Sequence, residues 1–219
     1  MDIQQIESFL ESPNPQNRMK AITELRHHEP SMVVPLLKRN MYDKELLIRS
    51  FVAMGLGAKR NNEGFEALLN IIGHEGDPNV VAEAANSLAN FGPQALPHLT
   101  ALFEQNSHWL IRQSILPVLD YPESFEALVQ LCRLGYQDKD LTVKLAAIAN
   151  LERLKGTEQA SAALNVLLQA ATDDNASIRA KAAQLLMHFD TPQTQTALTE
   201  LRQDTDYRVV KVFLESLLP

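Results

Sequence analysis

The sequence predicts an all-α fold, a right-handed solenoid of stacked helix pairs, and three observations support this prediction. An apolar pattern recurs about every 32 residues along the chain. Each unit holds two stretches with helical spacing of apolar residues, and proline or glycine separates them. Only eight glycines occur among 219 residues, whereas helix formers are abundant. A self-similar period of this length is typical of solenoids, whose units bury their apolar faces against neighbouring units.

The period is visible when seven marker positions are aligned, with separations of 31, 32, 31, 32, 35 and 32 residues. The markers are Arg18, Arg49, Val81, Arg112, Lys144, Arg179 and Lys211. Apolar residues follow every marker after three and after seven positions, namely Ala21/Leu25, Val52/Leu56, Ala84/Leu88, Ile115/Leu119, Ala147/Leu151, Ala182/Leu186 and Leu214/Leu218. Positions three and seven residues after a marker lie on the same face of a helix. These fourteen side chains are therefore predicted to be buried.

The repeats extend from end to end, which predicts a single domain over residues 1–219. Residues 1–11 are predicted to form a capping helix, residues 12–203 six helix pairs, and residues 204–219 a terminal helix without a partner. We name the first helix of each pair A and the second B. The B helices are expected at about 31–40, 63–73, 94–104, 124–135, 158–171 and 193–202. The 35-residue interval is attributed to a longer stretch at about residues 157–172, equivalent to about one extra turn.

Polar turns precede the A helices, and their Asp, Asn and Ser side chains are expected to cap the first N–H groups of the helix. A basic marker follows several of these turns, as in Asn14 and Arg18, Asp43 and Arg49, Asp138 and Lys144, and Asp173 and Arg179. A catalytic site is normally present once in a chain, whereas these pairs recur from repeat to repeat. They therefore predict a structural ladder between repeats.

Composition argues against several functional classes. The net charge of −7 disfavours nucleic acid and anionic membranes as partners. No apolar run approaches the roughly 18 residues of a membrane span, and the first residues lack the pattern of a signal peptide. The single cysteine, Cys132, continues an apolar helical series and is expected in the core. We therefore expect a cytoplasmic protein.

No catalytic residue and no metal ligand is predicted. None of the six histidines pairs with another at the i, i+4 spacing that places two ligands on one helical face. A glycine-rich phosphate loop, a nucleophile elbow and a distinctive carboxylate pair are all missing from the sequence.

Several stretches resemble HEAT repeats, in particular residues 77–88 and residues 173–186. The short units look most like the HEAT-like repeats named after phycobilisome lyases. Residues 49–57 and 108–116 resemble the cyanobacterial members, closest to the phycobilisome-degradation proteins of the non-bleaching B type. The sequence departs from the repeat at Val81, where the family usually has arginine. The resemblance implies binding to phycobiliproteins, since relatives attach, isomerise or help remove bilins.

In HEAT-like solenoids the B helices line the concave side, so their exposed polar residues are the candidate partner-binding surface. Trp109, the only tryptophan, opens the fourth A helix; it either packs under the preceding turn or contacts a partner. The polar residues could equally be an ordinary solvated face. The candidate partner-binding residues are Arg39, Glu66, Asn70, His98, Trp109, Gln130 and Arg133.

These observations favour a non-catalytic adaptor that binds a phycobiliprotein in phycobilisome assembly or degradation. An alternative is a bilin lyase or bilin-detaching factor, with a phycobilin in the groove and arginines on its propionates. A third alternative is an assembly scaffold unrelated to bilins. No cofactor is expected, a phycobilin being the one ligand that the resemblance suggests. A protein partner is expected, and the sequence leaves the oligomeric state open.

Overall fold

The computed structural model describes residues 1–216, and helical residues make up 76% of them. The described part of the chain contains fourteen α-helices joined by short turns, and it contains no β-strand. This confirms the predicted all-α solenoid of helix pairs. The chain divides into two compact units, the first from Met1 to Val118 and the second from Leu119 onward. Each unit is described by itself below.

The first unit contains four A helices and four B helices. Its A helices are α2, α4, α6 and α8, and its B helices are α1, α3, α5 and α7. In chain order they are α1 (Ile3–Leu10), α2 (Pro15–Glu24), α3 (Pro30–Arg39), α4 (Leu46–Lys59), α5 (Asn62–His74), α6 (Pro78–Ala89), α7 (Leu96–Gln105) and α8 (Trp109–Ile115). Ile6 and Leu10 of the predicted capping helix α1 are buried, and α1 packs against α2.

The second unit alternates in the same way, with B helices α9, α11 and α13 and A helices α10, α12 and α14. They are α9 (Phe125–Tyr136), α10 (Leu141–Asn150), α11 (Ala160–Ala170), α12 (Ala176–Leu186), α13 (Pro192–Leu201) and α14 (Tyr207–Glu215). The extra residues of the 35-residue interval lie in the turn at 155–159, where Gly156 has a φ of 77°. The longer interval therefore lengthens the turn before α11 and not the helix itself, which has 11 residues.

The inner faces of the A helices follow the predicted register in six of the seven repeats. All twelve apolar residues after the first six markers are buried, with at most 1% of the side chain exposed. The register of the seventh repeat was predicted wrongly. Leu214, which was expected to be buried, is 60% exposed, whereas Val209 and Phe213 are buried. Leu218 lies outside the described residues.

Helix capping explains this error. Asn175 caps α12 and Asp206 caps α14, each through a side-chain oxygen that accepts a hydrogen bond from the N–H two residues later. The residue three after the cap is buried in both helices, Ile178 in α12 and Val209 in α14. The register of the last repeat is thus counted from its cap, and its marker is Val210 rather than Lys211.

Close packing of A helices forms part of the core of the first unit. The backbone of α4 at Gly57 approaches Ser87 of α6 so closely that a Cβ atom on Gly57 would lie 2.8 Å from the Ser87 Cα. Ala85, on the same helix as Ser87, is fully buried. Cys132 is also fully buried, as predicted, and burial raises the pKa of its thiol. None of the described helices is long and apolar enough to cross a membrane.

Candidate functional site

Three of the arginine markers tie their repeat to the next one. The guanidinium group of Arg18 in α2 donates two hydrogen bonds to the Asp43 carboxylate before α4, at 2.6 and 2.9 Å. Its remaining nitrogen donates to the carbonyl oxygens of Ser12 and Pro13 in its own turn. Arg18 therefore closes its own turn and binds the turn of the following repeat.

The same arrangement recurs at two further markers. Arg49 binds Glu75 at 2.6 Å, and Arg179 binds Asp204 at 2.7 Å. These contacts confirm a structural ladder, but the acid comes from the next repeat and not from the arginine's own turn. Two of the pairs named from the sequence, Asp43 with Arg49 and Asp173 with Arg179, meet through the backbone carbonyl of the aspartate.

The ladder carboxylates are held in their charged form. The hydrogen bond from Arg179 lowers the pKa of Asp204 below its ordinary value, and burial only partly offsets this effect. Burial alone would raise the pKa of Asp43, but the hydrogen bonds from Arg18 and from the Glu45 N–H outweigh it, so that pKa is lowered as well. A carboxylate fixed by arginine and by a backbone N–H is poorly suited to proton transfer, which supports the structural role.

The predicted B-helix residues of the first unit lie at the surface. Arg39, Glu66 and His98 are exposed, and Asn70 is half-buried. The Tyr42 hydroxyl donates a hydrogen bond of 2.5 Å to Asn70 Oδ1, which fixes the amide. Arg39, Glu66 and His98 are therefore the predicted side chains of this unit that remain available for a partner.

Arg39 lies in an acidic setting. A groove of about 170 Å³ between α1 and α3 is lined by Glu7, Glu11 and Arg39, among others. Two carboxylates near one guanidinium reduce its attraction for an anionic ligand. The groove is therefore better suited to a protein surface with both charges than to a bilin propionate.

In the second unit, Gln130 and Arg133 are exposed on α9. The structure shows no ion pair for Arg133 among the described residues. A groove of about 520 Å³ lies between the start of α9 and the turn before α11, and Glu123, Glu126 and Glu158 line it. The polar surface of this B face is thus mostly acidic, with Arg133 as a separate cation.

Trp109 is the first residue of α8, as predicted, but its side chain is 44% exposed. The His108 ring stacks beside it, with 6.0 Å between the ring centroids. Trp109 therefore contacts the turn before α8 through His108, while close to half of the residue remains exposed. A contact with a partner stays a prediction, favoured by the enrichment of tryptophan at binding hot spots.

Apart from Trp109, the exposed apolar residues on the A-helix side of the first unit were not predicted from the sequence. Six large apolar side chains are exposed in that unit, and all but Met32 belong to A helices or their leading turns. These five are Tyr42, Leu46, Leu47, Met54 and Trp109. The signal was present in α4, whose only charged residues are Arg49 and Lys59. Both side chains bind other parts of the protein. Arg49 binds Glu75, and Lys59 Nζ donates hydrogen bonds to the carbonyl oxygens of Arg26 and His28.

Across residues 1–216, no three His, Cys, Asp or Glu side chains converge in a way that could hold a metal ion.

Comparison with solved structures finds the same fold in proteins of low sequence identity. YibA of Escherichia coli is 16% identical, with a TM-score of 0.67 over 97% of this chain and 80% of that chain. The complex of CpcE and CpcF of phycocyanin lyase from Nostoc sp. PCC7120 is 18% identical, with a TM-score of 0.55 over 100% of this chain and 95% of that chain. At such identities the likeness shows the fold alone.

Sequence comparison with curated proteins gives no significant match. The family profile described as HEAT repeats matches residues 43–120 and 125–217, which is well over half of the sequence. The chain therefore belongs to the HEAT-repeat family.

Proposed function

We propose that this protein is a HEAT-repeat adaptor that binds a phycobiliprotein during the assembly or degradation of phycobilisomes. The observation that carries the proposal is the fold likeness to the CpcE and CpcF complex of phycocyanin lyase, which extends over the whole chain. Residues 49–57 and 108–116, which resemble cyanobacterial relatives, support it independently of the fold. Such a protein would act in the cytoplasm of a cyanobacterium.

The exposed residues of the B helices are the proposed contact surface. Arg39 lies beside Glu7 and Glu11, so this part of the surface presents both charges within one groove. Arg133 adds a cation on α9 without a described ion pair. Complementary charges of this kind set the specificity and the association rate of protein complexes more than their total affinity.

A bilin lyase or bilin-detaching activity is the second candidate, favoured by the fact that the matched complex is itself a phycocyanin lyase. Arg133 could bind a bilin propionate through two parallel hydrogen bonds. The cysteine that forms the thioether would belong to the biliprotein, so the buried Cys132 would have no part in the chemistry.

Mixing the purified chain with holo-phycocyanin, apo-phycocyanin and free phycocyanobilin separates these functions. The adaptor proposal expects a complex with phycocyanin in size-exclusion chromatography, without a change in bilin absorbance. A shifted absorbance with free phycocyanobilin, or transfer of the bilin to or from the biliprotein, would favour the second candidate. No complex and no spectral change would contradict both and leave a scaffold unrelated to bilins.

The contact surface is tested by combining Arg39→Glu with Arg133→Glu. We expect the complex with phycocyanin to weaken at least about tenfold, because two cationic contacts become repulsive on an acidic protein. The matched control combines Arg26→Glu with Lys155→Glu, two exposed residues at A-to-B junctions with the same total charge change. Lys59 is unsuitable as a control because it binds two backbone carbonyls. Equal losses in both double variants would indicate general electrostatics and not a specific surface.

A further inference from the structure

Helix α4 is apolar on both of its faces. Its inner face is buried through Ile48, Val52 and Leu56. Its outer face carries Leu47, Phe51 and Met54 at the spacing i, i+4, i+7, which places them in one stripe. Leu47 is 57% exposed, Met54 is 47% exposed, and Phe51 is half-buried. A helix that is apolar all round is normally covered on all sides, whereas the outer face of α4 is open.

The repeat itself does not require this stripe. Three of the other A helices carry polar residues at all three equivalent positions of the repeat. These residues are Gln16, Lys20 and Thr23 in α2, Asn79, Glu83 and Asn86 in α6, and Ser177, Lys181 and Gln184 in α12. Helix α8 with the residues that follow it has Leu110, Ser114 and Pro117 there, and α10 has Thr142, Ala146 and Ala149. The repeat therefore does not require three large apolar residues at these positions.

A groove runs along one side of the stripe. It has a volume of about 520 Å³, lies between α2 and α4, and is lined by Met19, Lys20, Thr23, Leu47 and Ile48, among others. Methionine side chains adapt to the shape of an incoming apolar group, which favours Met19 and Met54 as contact residues. The dimensions suit apolar side chains from one face of a helix.

Charged residues flank the stripe, with Glu83 on the α6 side and Lys20 on the α2 side, where Glu24 and Glu45 also line the groove. Glu24 is paired with the N-terminal amine, and the Lys20 ammonium lies 5.9 Å from the centre of the Phe9 ring. Lys20 of α2 and Glu83 of α6 occupy the repeat position that Phe51 occupies in α4, and α4 packs against both helices. Neither Lys20 nor Glu83 forms an ion pair within the described residues. Glu83 is half-buried, and burial raises the pKa of its carboxyl group. A cation placed beside Glu83 would compensate for this lost hydration.

We infer that the outer face of α4 docks an amphipathic helix of a partner protein, with apolar residues at i, i+4 and i+7, a basic residue toward Glu83 and an acidic residue toward Lys20. This surface lies on the A-helix side and is independent of the proposed B-helix contact with a phycobiliprotein. The helix would cover Leu47, Phe51 and Met54 and pair both flanking charges at once.

The probe is a fluorescein-labelled alanine-based peptide of about 18 residues, because shorter isolated helices are marginal in water. It carries Leu, Phe and Leu at i, i+4 and i+7, with lysines along one flank and glutamates along the other. Fluorescence anisotropy with the full chain should give a Kd in the micromolar range. Met54→Glu should weaken binding at least about tenfold. Met32→Glu on α3 is the matched control, since Met32 is 45% exposed, and it should leave the Kd unchanged.

The charge pattern is tested through Glu83→Lys, which places a cation on both flanks. This variant should bind the mixed peptide about tenfold more weakly and should recover binding to a peptide with glutamate on both flanks. Circular dichroism melting curves check that each variant remains folded. The inference fails if the mixed peptide does not bind at about 100 μM, if Met32→Glu weakens binding as much as Met54→Glu, or if Glu83→Lys changes nothing. It also fails if light scattering shows a dimer that Met54→Glu dissociates, because the occupant would then be a second copy.

Discussion

Helices α4 and α12 occupy the same place in their repeats, yet only their inner faces are alike. Val52 in α4 and Ala182 in α12 are both fully buried at the third position after the marker. The marker itself is arginine in both helices and binds an acid of the following turn. On the outer face, α4 has Leu47, Phe51 and Met54 where α12 has Ser177, Lys181 and Gln184.

The difference separates what the fold demands from what it leaves open. Neighbouring helices pack against the inner face, so the volume and polarity of its side chains are constrained. The outer face meets solvent in both helices, and its composition is free to serve binding. The predictions below test this division, from substitutions on the inner face to substitutions on the outer face.

The largest effect is expected for Ala85→Arg on the inner face of α6. Ala85 is fully buried, so the variant must bury an unpaired charge and enlarge a packed contact, at a cost of several kcal/mol. Urea unfolding and melting curves would measure the loss. Asn86→Arg changes the neighbouring outer residue of the same helix and should have little effect. An unchanged melting temperature for Ala85→Arg would contradict the buried register.

A smaller loss of stability is expected when Arg179→Ala removes one of the ion pairs of the ladder. The Asp204 side chain is only 9% exposed, and without Arg179 its charge would remain in the protein unpaired. This should cost about 1–3 kcal/mol in the free energy of unfolding, below the value for fully buried pairs because Arg179 is 17% exposed. Arg208→Ala, which removes an exposed arginine paired with Asp206, is the control and should change stability little. Equal losses in both variants would mean that the ladder does not tie the repeats together.

Sequence reasoning predicted the inner faces well because burial leaves a strict period. Ala21 and Leu186, at opposite ends of the series, both lie in the core as that period requires. It failed at α14 because Lys211 looked like a marker, whereas the cap at Asp206 determines where the helix starts. A basic residue alone does not define the register.

The surface was less predictable, for a different physical reason. Exposed residues follow no period, so the stripe of Leu47, Phe51 and Met54 appears only after α4 is compared with the other A helices. The acid partner of Arg179 was also missed, because Asp204 is 25 residues away in sequence and only the stacking of repeats brings the two together. The exposure of Trp109 likewise depends on tertiary packing that its position at a helix start does not reveal.

Two glycines of α4 provide a finer test of how closely this helix packs against α6 and against α3. A Cβ atom at Gly57 would lie 2.8 Å from both the Cα and the carbonyl oxygen of Ser87, which are backbone atoms that cannot move alone. A Cβ atom at Gly55 would meet only the end of the Leu37 side chain. We therefore expect Gly57→Ala to destabilise by about 1–2 kcal/mol despite the better helix propensity of alanine. Gly55→Ala should be nearly neutral. Similar melting temperatures for the two variants would refute the close approach of α4 and α6.

The ladder also predicts a dependence of stability on pH. The pKa values of Asp43, Glu75 and Asp204 are lowered in the folded protein, so the folded state binds fewer protons than the unfolded state in acid. Their stabilisation is complete above the ordinary carboxyl pKa, near 4, and is lost as the pH falls through the lowered values. The free energy of unfolding should therefore decrease below about pH 4. Arg179→Ala should show a shallower decrease, because Asp204 then titrates closer to its ordinary value. An identical slope in both proteins would exclude this contribution.

The smallest effect is expected when the outer face of α4 is given the residues of α12, through Leu47→Ser combined with Met54→Gln. Both side chains are about half exposed and stabilise little by burial, so the free energy of unfolding should change by about 1 kcal/mol or less. The neighbouring inner change Leu56→Ser, at a fully buried position, should by contrast cost about 2–5 kcal/mol. Melting curves of the two variants compare the faces of one helix directly. A large loss from the outer double variant would show that the stripe supports the fold of this unit, and the case for a surface kept apolar for a partner would then be lost.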